Sequence, residues 1–430
     1  PGVKAAVVDK NVCHVDIFPT ICEVLNMKSP DHLHGVSLLS DPSVLASRSI
    51  YFESLTPYYN RNWAPLRGYI HQNEKYIDLP IQERFDIARD PDEKVNLIQG
   101  LNWKTHRQKL ENLISSLINP NRPERLKGEE TDPKVVRRLQ SLGYIPSDHS
   151  VKKTLFLPKD DLKTLMPLQN QMLDGMAHEQ NDRTQEALAI YSDIIGQREN
   201  FILVYTLMAS IYKKNLQYDK AVEILNRGLK ANPDNIFLLS KLGILLSEYG
   251  RPDEAITILT RVLSIEDTDP ETYTYLGVAY HRKKEFDMAM TQFEKGLKLD
   301  RSNALLHNNI AAVYLEKYLK SHERSLFNQA MVAYNLALEI DPGLHSALNG
   351  RGAAYSFDNQ PDLAMADWFN AISVKKEYPE PYFNLGILLS RTGNPTKALD
   401  IFRACKRNCR NTLPPAELKR LERLISELTR

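Results

Sequence analysis

The side chains best able to do chemistry in this sequence of 430 residues are four cysteines and a few closely spaced histidines and carboxylates. Cys13, Cys22, Cys405 and Cys409 could ligate a metal ion or act as nucleophiles. A zinc site needs two pairs of ligands, each at short spacing. The four cysteines do not form such a set of two pairs. Cys405 and Cys409 are four residues apart and share a helical face. We expect them to be core or surface thiols rather than a disulfide.

Two pairs of polar residues near the start of the chain have spacings that could favour a metal ion. His14 and Asp16 would point to one face of a strand, and His32 and His34 have the same spacing. Neither pair has a third ligand close by in the sequence. We therefore expect Asp16 to cap the helix that follows it and His14 to be packed. We place His32 and His34 in a solvated loop.

A repeating pattern with a period of 34 organises the chain over residues 168–412. In each repeat a small residue is followed by an alanine at position +12 and a large apolar residue at position +16. The three series are Gly175, Ala209, Gly243, Gly277 and Ala311; Ala187, Ala221, Ala255 and Ala289; and Tyr191, Leu225, Leu259 and Phe293. This pattern is typical of antiparallel helix pairs that approach so closely that only Gly or Ala fits at the crossing. One pair cannot bury its apolar face alone, so the pairs must stack into an α-solenoid.

The period continues to a seventh repeat with one insertion. In repeat five the alanine of the second helix is Ala330, which follows Ala311 by 19 residues rather than 12. Seven extra residues therefore lie between the two helices of that repeat or lengthen them. Gly352 and Gly386 restore the register. Residues 413–430 carry prolines at their start and then an apolar stripe, which predicts a helix that caps the last repeat.

The segment YTYLGVAYHRKKEFDMAMTQFEKGLKLD resembles the tetratricopeptide repeat. Leu276, Gly277, Tyr280, Ala289 and Phe293 occupy that family's signature positions. The resemblance implies a solenoid of about seven helix pairs that binds a protein or peptide on its concave face, which the first helix of each pair would line. The chaperone-binding members of the family need Lys and Asn at fixed places in successive repeats, and that set is incomplete here.

Polar side chains at the outward positions of the first helices are the candidate binding residues. Counting from the small residue of each repeat gives Lys213, Lys241, His281, Asn308, Asn309, Asn349, Asn384 and Arg391. Asn and Lys at such positions can hydrogen-bond the backbone or a carboxylate of an extended peptide. Solubility alone also requires a polar surface, and both interpretations stay open.

Residues 1–146 have no repeat, and their pattern predicts a mixture of strands and helices. Strands are predicted at 3–8, 49–54, 66–71, 75–79 and 84–88, of which 49–54 is a buried strand and the next two form a hairpin. Helices are predicted after Asp16, from about residue 90, over 101–118 and over 132–145. Residues 147–167 would contain a linker and the leading helix of the repeats.

Five stretches of this region resemble, in order, the carboxy-terminal part of the sulfatase family within the alkaline-phosphatase-like superfamily. They are PGV, VDIFPTICEVLNM with HGVSLL, YFES, LRGYIHQNEKYID with RFDIARDPDEKVNLI, and RLQSLGYI. The resemblance implies that residues 1–146 are an incomplete α/β sulfatase-like region. It also implies that the complete protein hydrolyses sulfate esters with a formylglycine and a divalent metal ion such as calcium.

The residues that carry sulfatase catalysis are expected to lie before residue 1. The formylglycine arises from a Cys- or Ser-x-Pro-x-Arg motif, and neither Cys13 nor Cys22 is followed by one. A nucleophile and its charge-stabilising groups must share one preorganised site. We therefore expect no catalytic residue, metal site or cofactor, and no enzymatic activity, in these 430 residues.

Two functions are compatible with the sequence. In the first, the chain is a protein-interaction scaffold attached to the end of a sulfatase-like hydrolase. In the second, it is a stand-alone tetratricopeptide-repeat binding protein with a degenerate, non-catalytic amino-terminal region. The balance of 55 Lys and Arg against 54 Asp and Glu predicts no nucleic-acid partner. No run of apolar residues is long enough to predict a membrane-spanning helix. The sulfatase resemblance favours a periplasmic or cell-envelope location, and the sequence leaves the oligomeric state open.

Overall fold

The computed structural model describes residues 11–30, 34–55, 58, 63–98, 100, 102–117 and 155–429. It divides the chain into two compact units, Pro1–Leu173 and Asp174–Arg430. Several predictions lie outside the described residues, namely the strand at 3–8, the helix at 132–145, the PGV and RLQSLGYI stretches, His32 and most of the linker.

The first unit contains one four-stranded antiparallel sheet in the described residues. Its strands are β1 Ser49–Ser54, β2 Leu66–His71, β3 Glu74–Asp78 and β4 Glu83–Asp86, in the order β1-β2-β3-β4. The hairpin and the strand near residue 84 are thus confirmed. The expected origin of this small sheet in a sulfatase-like domain stays a prediction.

Buried aromatic residues hold the helix α3, Trp103–Leu117, against the sheet. Tyr69 and Tyr76 face each other across β2 and β3, and Tyr76 stacks on the ring of His106 with 5.2 Å between centroids. The hydroxyl of Tyr69 lies 2.7 Å from Nδ1 of His106. Leu110 completes this cluster. Burial lowers the pKa of His106, although the nearby Glu74 partly opposes that effect.

Asp16 does not cap the helix α1, Ile17–Val24, as the sequence suggested. Its carboxylate turns away from the helix and pairs with Arg48, 2.7 Å from Oδ1 to Nη1, at the end of the helix α2, Pro42–Ser47. It also accepts the backbone amides of Cys13 and Val36. Burial alone would raise the pKa of Asp16, but these hydrogen bonds outweigh it and the pKa is lowered.

Three further expectations for this unit are wrong. The strand β1 is not buried, because it lies at the edge of the sheet and none of its residues is fully enclosed. The described residues around position 90 do not begin a helix. There the carboxylate of Asp90 accepts the amides of Lys94 and Val95 and holds a turn instead. His14 is exposed rather than packed.

The described helices from residue 162 onward form seven antiparallel pairs and one final helix, as the repeat pattern predicts. In chain order they are α4 Leu162–Gln180, α5 Thr184–Gln197, α6 Ile202–Lys214, α7 Tyr218–Ala231, α8 Ile236–Tyr249, α9 Pro252–Ile265, α10 Pro270–Arg282, α11 Phe286–Leu299, α12 Ala304–Ser321, α13 Arg324–Ile340, α14 His345–Phe357, α15 Pro361–Val374, α16 Glu380–Arg391, α17 Pro395–Asn408 and α18 Pro415–Thr429. We number the pairs as repeats one to seven, with α4 and α5 as repeat one. Leu421 of α18 is buried against repeat seven, as expected of a cap.

The seven extra residues of repeat five lengthen both of its helices. The helix α12 has 18 residues where α10 has 13, and α13 has 17 where α11 has 14. The connection between α12 and α13 is only two residues long and begins with His322, whose φ is +56°. The insertion therefore extends the helices and adds no loop.

Small residues of the first helices meet bulky residues of the second helices at the expected crossings. A Cβ added at Gly277 would lie 2.3 Å from the ring of Phe293, and one at Gly243 would lie 2.5 Å from Leu259. Real Cβ atoms essentially never approach a heavy atom so closely. The other such pairs are Gly175 with Tyr191, Gly352 with Trp368 and Gly386 with Phe402. The bulky partners are almost completely buried.

We expect Gly277→Ala to destabilise the repeat unit because the new methyl group would overlap the ring of Phe293. Overpacking of this kind costs about 1–3 kcal/mol. Urea denaturation of the whole chain, followed by circular dichroism, measures the change in the free energy of unfolding.

The matched control is Gly196→Ala in α5, where an added Cβ meets nothing within 4 Å. This variant should be more stable by up to about 1 kcal/mol, the usual advantage of Ala over Gly inside a helix. If Gly277→Ala unfolds at the same urea concentration as the unmodified chain, the close helix crossing is not the constraint that we infer.

Candidate functional site

The first helices of the repeats form the inner layer of the second unit. From repeat two to repeat seven, each first helix contacts the first helix of the next repeat. Each second helix instead packs on the first helix of the repeat that follows. The first helices are therefore the more closely spaced series, and their outward side chains share one face. We call it the inner face.

A cavity of about 330 Å³ opens on the inner face between the first helices of repeats two, three and four. Its apolar lining includes Ile244 and Leu245 of α8. Its polar lining includes Ser210, Lys213, Lys241, Glu248, Glu271 and Tyr275. We call this cavity the groove. It combines an apolar surface with charges of both signs on rigid helices, which suits the recognition of a peptide.

The charged groups of the groove differ in how far they are neutralised. Lys213 forms an ion pair with Glu248 of the next repeat. Lys241 lies over the ring of Phe237, 5.5 Å from its centroid, and it forms no ion pair within residues 155–429 that the structure describes. In the same stretch Glu271 forms no ion pair either. The groove thus offers one ammonium and one carboxylate that remain available to a ligand.

Tyr275 lines the groove together with the carboxylates of Glu248 and Glu271. Burial is the main reason that the pKa of its phenol rises to about 12, and the charges of Glu248 and Glu271 add to the effect. The hydroxyl is therefore protonated at neutral pH and can donate a hydrogen bond. The sequence signal for this residue was available, because Tyr275 follows Lys241 by one period. Only cationic and amide side chains were chosen as candidate binding residues, so Tyr275, Glu248 and Glu271 were missed.

The remaining predicted residues lie further along the inner face or at its edge. Nε2 of His281 lies 2.9 Å from Oε2 of Glu316, which also pairs with Lys284. Burial lowers the pKa of His281, although the hydrogen bond and charge of Glu316 partly oppose it. Arg391 is exposed at the end of α16.

The four predicted asparagines lie in repeats five to seven. The amide of Asn384 donates to Oδ1 of Asn349 over 2.9 Å, so two successive first helices are joined there. Nδ2 of Asn308 lies 3.3 Å from Oδ1 of Asn309. Asn308 is only 8% exposed, which differs from the outward position that counting along the helix gave it. Its amide is enclosed by the neighbouring helices instead.

The described residues contain no group of three or more His, Cys, Asp or Glu that could hold a metal ion. They therefore do not fit the divalent ion that the sulfatase resemblance implies. All four cysteines are free thiols, as expected for Cys405 and Cys409, and these two are buried in the core. Among the described helices, none is both long and apolar enough to traverse a bilayer.

Comparison with known proteins matches the repeats. A family model described as Tetratricopeptide Repeats-Sensor matches residues 217–350. The BBSome complex member BBS4 homolog of Drosophila melanogaster is 24% identical over 208 residues, which cover 48% of this chain and 41% of that protein. The anaphase-promoting complex subunit 3 of Schizosaccharomyces pombe is 24% identical over 141 residues, which cover 33% of this chain and 21% of that protein. The chain thus spans less than half the length of these relatives.

Among solved structures, a tetratricopeptide repeat protein from Parabacteroides merdae superposes with a TM-score of 0.49 at 15% identity, covering 61% of this chain and 99% of that one. The stacked helix pairs define a mostly helical solenoid. The match of the family model shows that residues 217–350 are similar to tetratricopeptide repeats.

We expect the stability of the repeat unit to fall as the pH is lowered through about 6.5, the ordinary pKa of histidine. The pKa of His281 is lower in the folded chain than in the unfolded chain. The unfolded chain therefore binds a proton first as the pH falls, which favours unfolding. Urea denaturation between pH 7.5 and pH 5.5 measures this dependence.

His281→Gln should make that pH dependence shallower, because glutamine can still donate to Glu316 and does not titrate. His322→Asn is the control, since His322 is exposed and Asn tolerates its positive φ. A His281→Gln variant with the unmodified pH dependence would contradict the assignment.

Proposed function

We propose that this chain is a protein-interaction scaffold whose groove binds an extended peptide segment of a partner protein. The observation that carries the proposal is the pair of un-neutralised charges, Lys241 and Glu271, in the lining of a cavity that also presents apolar side chains. The names of two relatives, a BBSome member and an anaphase-promoting complex subunit, describe components of assemblies. They support an interaction role for this chain.

The chemistry of the groove specifies the peptide that would bind. A carboxylate of the peptide would pair with Lys241, and a cationic or amide side chain would reach Glu271. An apolar side chain between them would cover Ile244 and Leu245. The groups that would contact the peptide lie on packed helices, so binding would cost them little conformational entropy. The same groove gives no reason to expect nucleic acid, because acidic groups share it with the lysines.

We expect Lys241→Glu to weaken the binding of peptides about tenfold or more, because a charge-assisted hydrogen bond would become a repulsion. The measurement is an array of random dodecapeptides probed with the whole chain, followed by titration of the strongest binders. Tyr275→Ala should weaken the same peptides.

The matched control is Lys295→Glu, which reverses an exposed lysine on the second helix of repeat four. This control should bind as the unmodified chain does. Selected peptides that bind Lys241→Glu and the unmodified chain equally would contradict the proposal, as would an array on which no peptide binds.

A second candidate function concerns the first unit. The chain would be the carboxy-terminal part of a sulfatase-like hydrolase, in the periplasm or cell envelope, whose upstream residues supply the formylglycine and the divalent ion. In favour of it, α1 leaves Ile17 and Phe18 55% and 54% exposed, as a helix would that packs on a larger domain. The comparisons with known proteins favour the stand-alone interaction protein instead.

The upstream coding sequence distinguishes the two. An open frame that continues into a Cys- or Ser-x-Pro-x-Arg motif is expected of the sulfatase origin. An in-frame stop codon followed by a local start site would support the stand-alone interaction protein and leave the groove proposal untouched.

A further inference from the structure

A second hollow, of about 420 Å³, lies on the last repeat, and all the described residues that line it are cations. Arg403, Lys406 and Arg407 belong to α17, and Arg410 follows its end. Spacings of three and four residues place Arg403, Lys406 and Arg407 on one side of the helix. The second helix of repeat seven carries this surface, so it is separate from the groove on the first helices. We call it the basic hollow.

The charges of the basic hollow are only partly neutralised. Lys406 pairs with Glu422 of α18 over 2.8 Å. Within residues 155–429, as far as the structure describes them, the three arginines form no ion pair. Hydrogen bonding and charge of Lys406 lower the pKa of Glu422, and Arg410 contributes as well. Four cations are therefore accompanied by a single carboxylate.

This concentration of positive charge is local. From residue 397 to residue 423 the sequence has eight Lys and Arg against three Asp and Glu, whereas the whole chain has 55 against 54. Like charges on one helix face repel each other and destabilise the helix. Such an arrangement costs stability unless an anion approaches it.

The ends of helices attract cations, but this effect explains only part of the hollow. Lys406 and Arg407 lie in the last turn of α17, where they interact favourably with the helix dipole. Arg403 lies more than one turn before the end of the helix, and Arg410 lies beyond it. The dipole effect fades within one turn. The helix dipole therefore does not explain the positions of Arg403 and Arg410.

The dimensions of the hollow favour an extended acidic chain over a single small anion. Arg403 and Arg407 are separated by about 6 Å along the helix axis, at 1.5 Å per residue, and Arg410 follows the end of the helix. Alternate residues of an extended peptide are roughly 7 Å apart. Two carboxylates on alternate residues would therefore match the spacing of Arg403 and Arg407. Each guanidinium can hold a carboxylate with two parallel hydrogen bonds.

Other polyanions fit less well. A helix that binds a membrane surface buries apolar side chains beside its cations, and in α17 and α18 no large apolar side chain of the described residues is fully exposed. Single-stranded nucleic acid is held by aromatic side chains that stack on its bases, and none lines the basic hollow.

We infer that the basic hollow binds an acidic peptide segment of a partner protein, with carboxylates on alternate residues. The inference depends on the charges of repeat seven and not on the groove. Loss of binding at one site would leave the other intact.

The test uses the whole chain and a fluorescent octapeptide of alternating Glu and Ser, with fluorescence anisotropy as the readout. The variant Arg403→Ala/Arg407→Ala/Arg410→Ala should bind it at least about tenfold more weakly, equivalent to about 1.4 kcal/mol. Each single substitution should give a smaller loss. Affinity should also fall as salt is raised, because the contacts are exposed.

The control Lys230→Ala/Lys295→Ala/Lys298→Ala removes three exposed cations from other second helices, and it should bind like the unmodified chain. Circular dichroism checks that both variants are folded. An equal loss in the control would overturn the inference, since it would show a general charge effect. Unchanged binding in the arginine variant, or equal binding of a peptide of alternating Gln and Ser, would overturn it too.

Three further probes distinguish the sources of negative charge. They are inorganic phosphate, vesicles containing phosphatidylserine and a short oligouridylate. The acidic octapeptide should bind more tightly than each of them. If any one of the three binds more tightly and loses that affinity in the arginine variant, the hollow is not a site for an acidic peptide.

Discussion

The second unit depends on a steric constraint that recurs in five of its seven repeats, namely the close approach of a Gly on one helix to a bulky side chain on the next. At Gly277 this approach leaves no room for a methyl group beside Phe293. The crossing distance fixes the offset between the helices of a pair, and stacking passes that offset to the following pair. The places of Lys213, Lys241 and Tyr275 around one groove therefore follow from the helix crossings, and Ala209 and Leu225 of one such crossing also line the groove.

The repeats could be predicted because each of their packing contacts lies within a short stretch of sequence. Gly277 and Phe293, for example, meet within a single repeat, so a fixed period reveals such pairs. The first unit behaved differently. Asp16 is held by Arg48, 32 residues away, and the local sequence gives no sign of that partner. The turn at Asp90 arose from a carboxylate that binds amides rather than from a helix start.

The candidate sites were predicted in part for a related reason. Counting along the first helices found Lys213 and Lys241, since a residue's phase on a helix follows from the sequence. Counting could not show that Asn308 is enclosed, because its enclosure depends on neighbouring helices. It also passed over the cations of α17, which lie on a second helix. The near-zero net charge of the chain concealed them, because an average over the whole sequence does not report how charge is distributed.

The lengthened helices of repeat five have a consequence for any molecule that lies along several repeats. Five additional residues extend α12 by about 7.5 Å relative to its counterparts. A stack of identical repeats would let an elongated ligand slide by one unit and find the same surroundings again. The longer helices α12 and α13 break that equivalence near the middle of the stack. A chain bound along the repeats would therefore have one alignment and one direction that differ from all others.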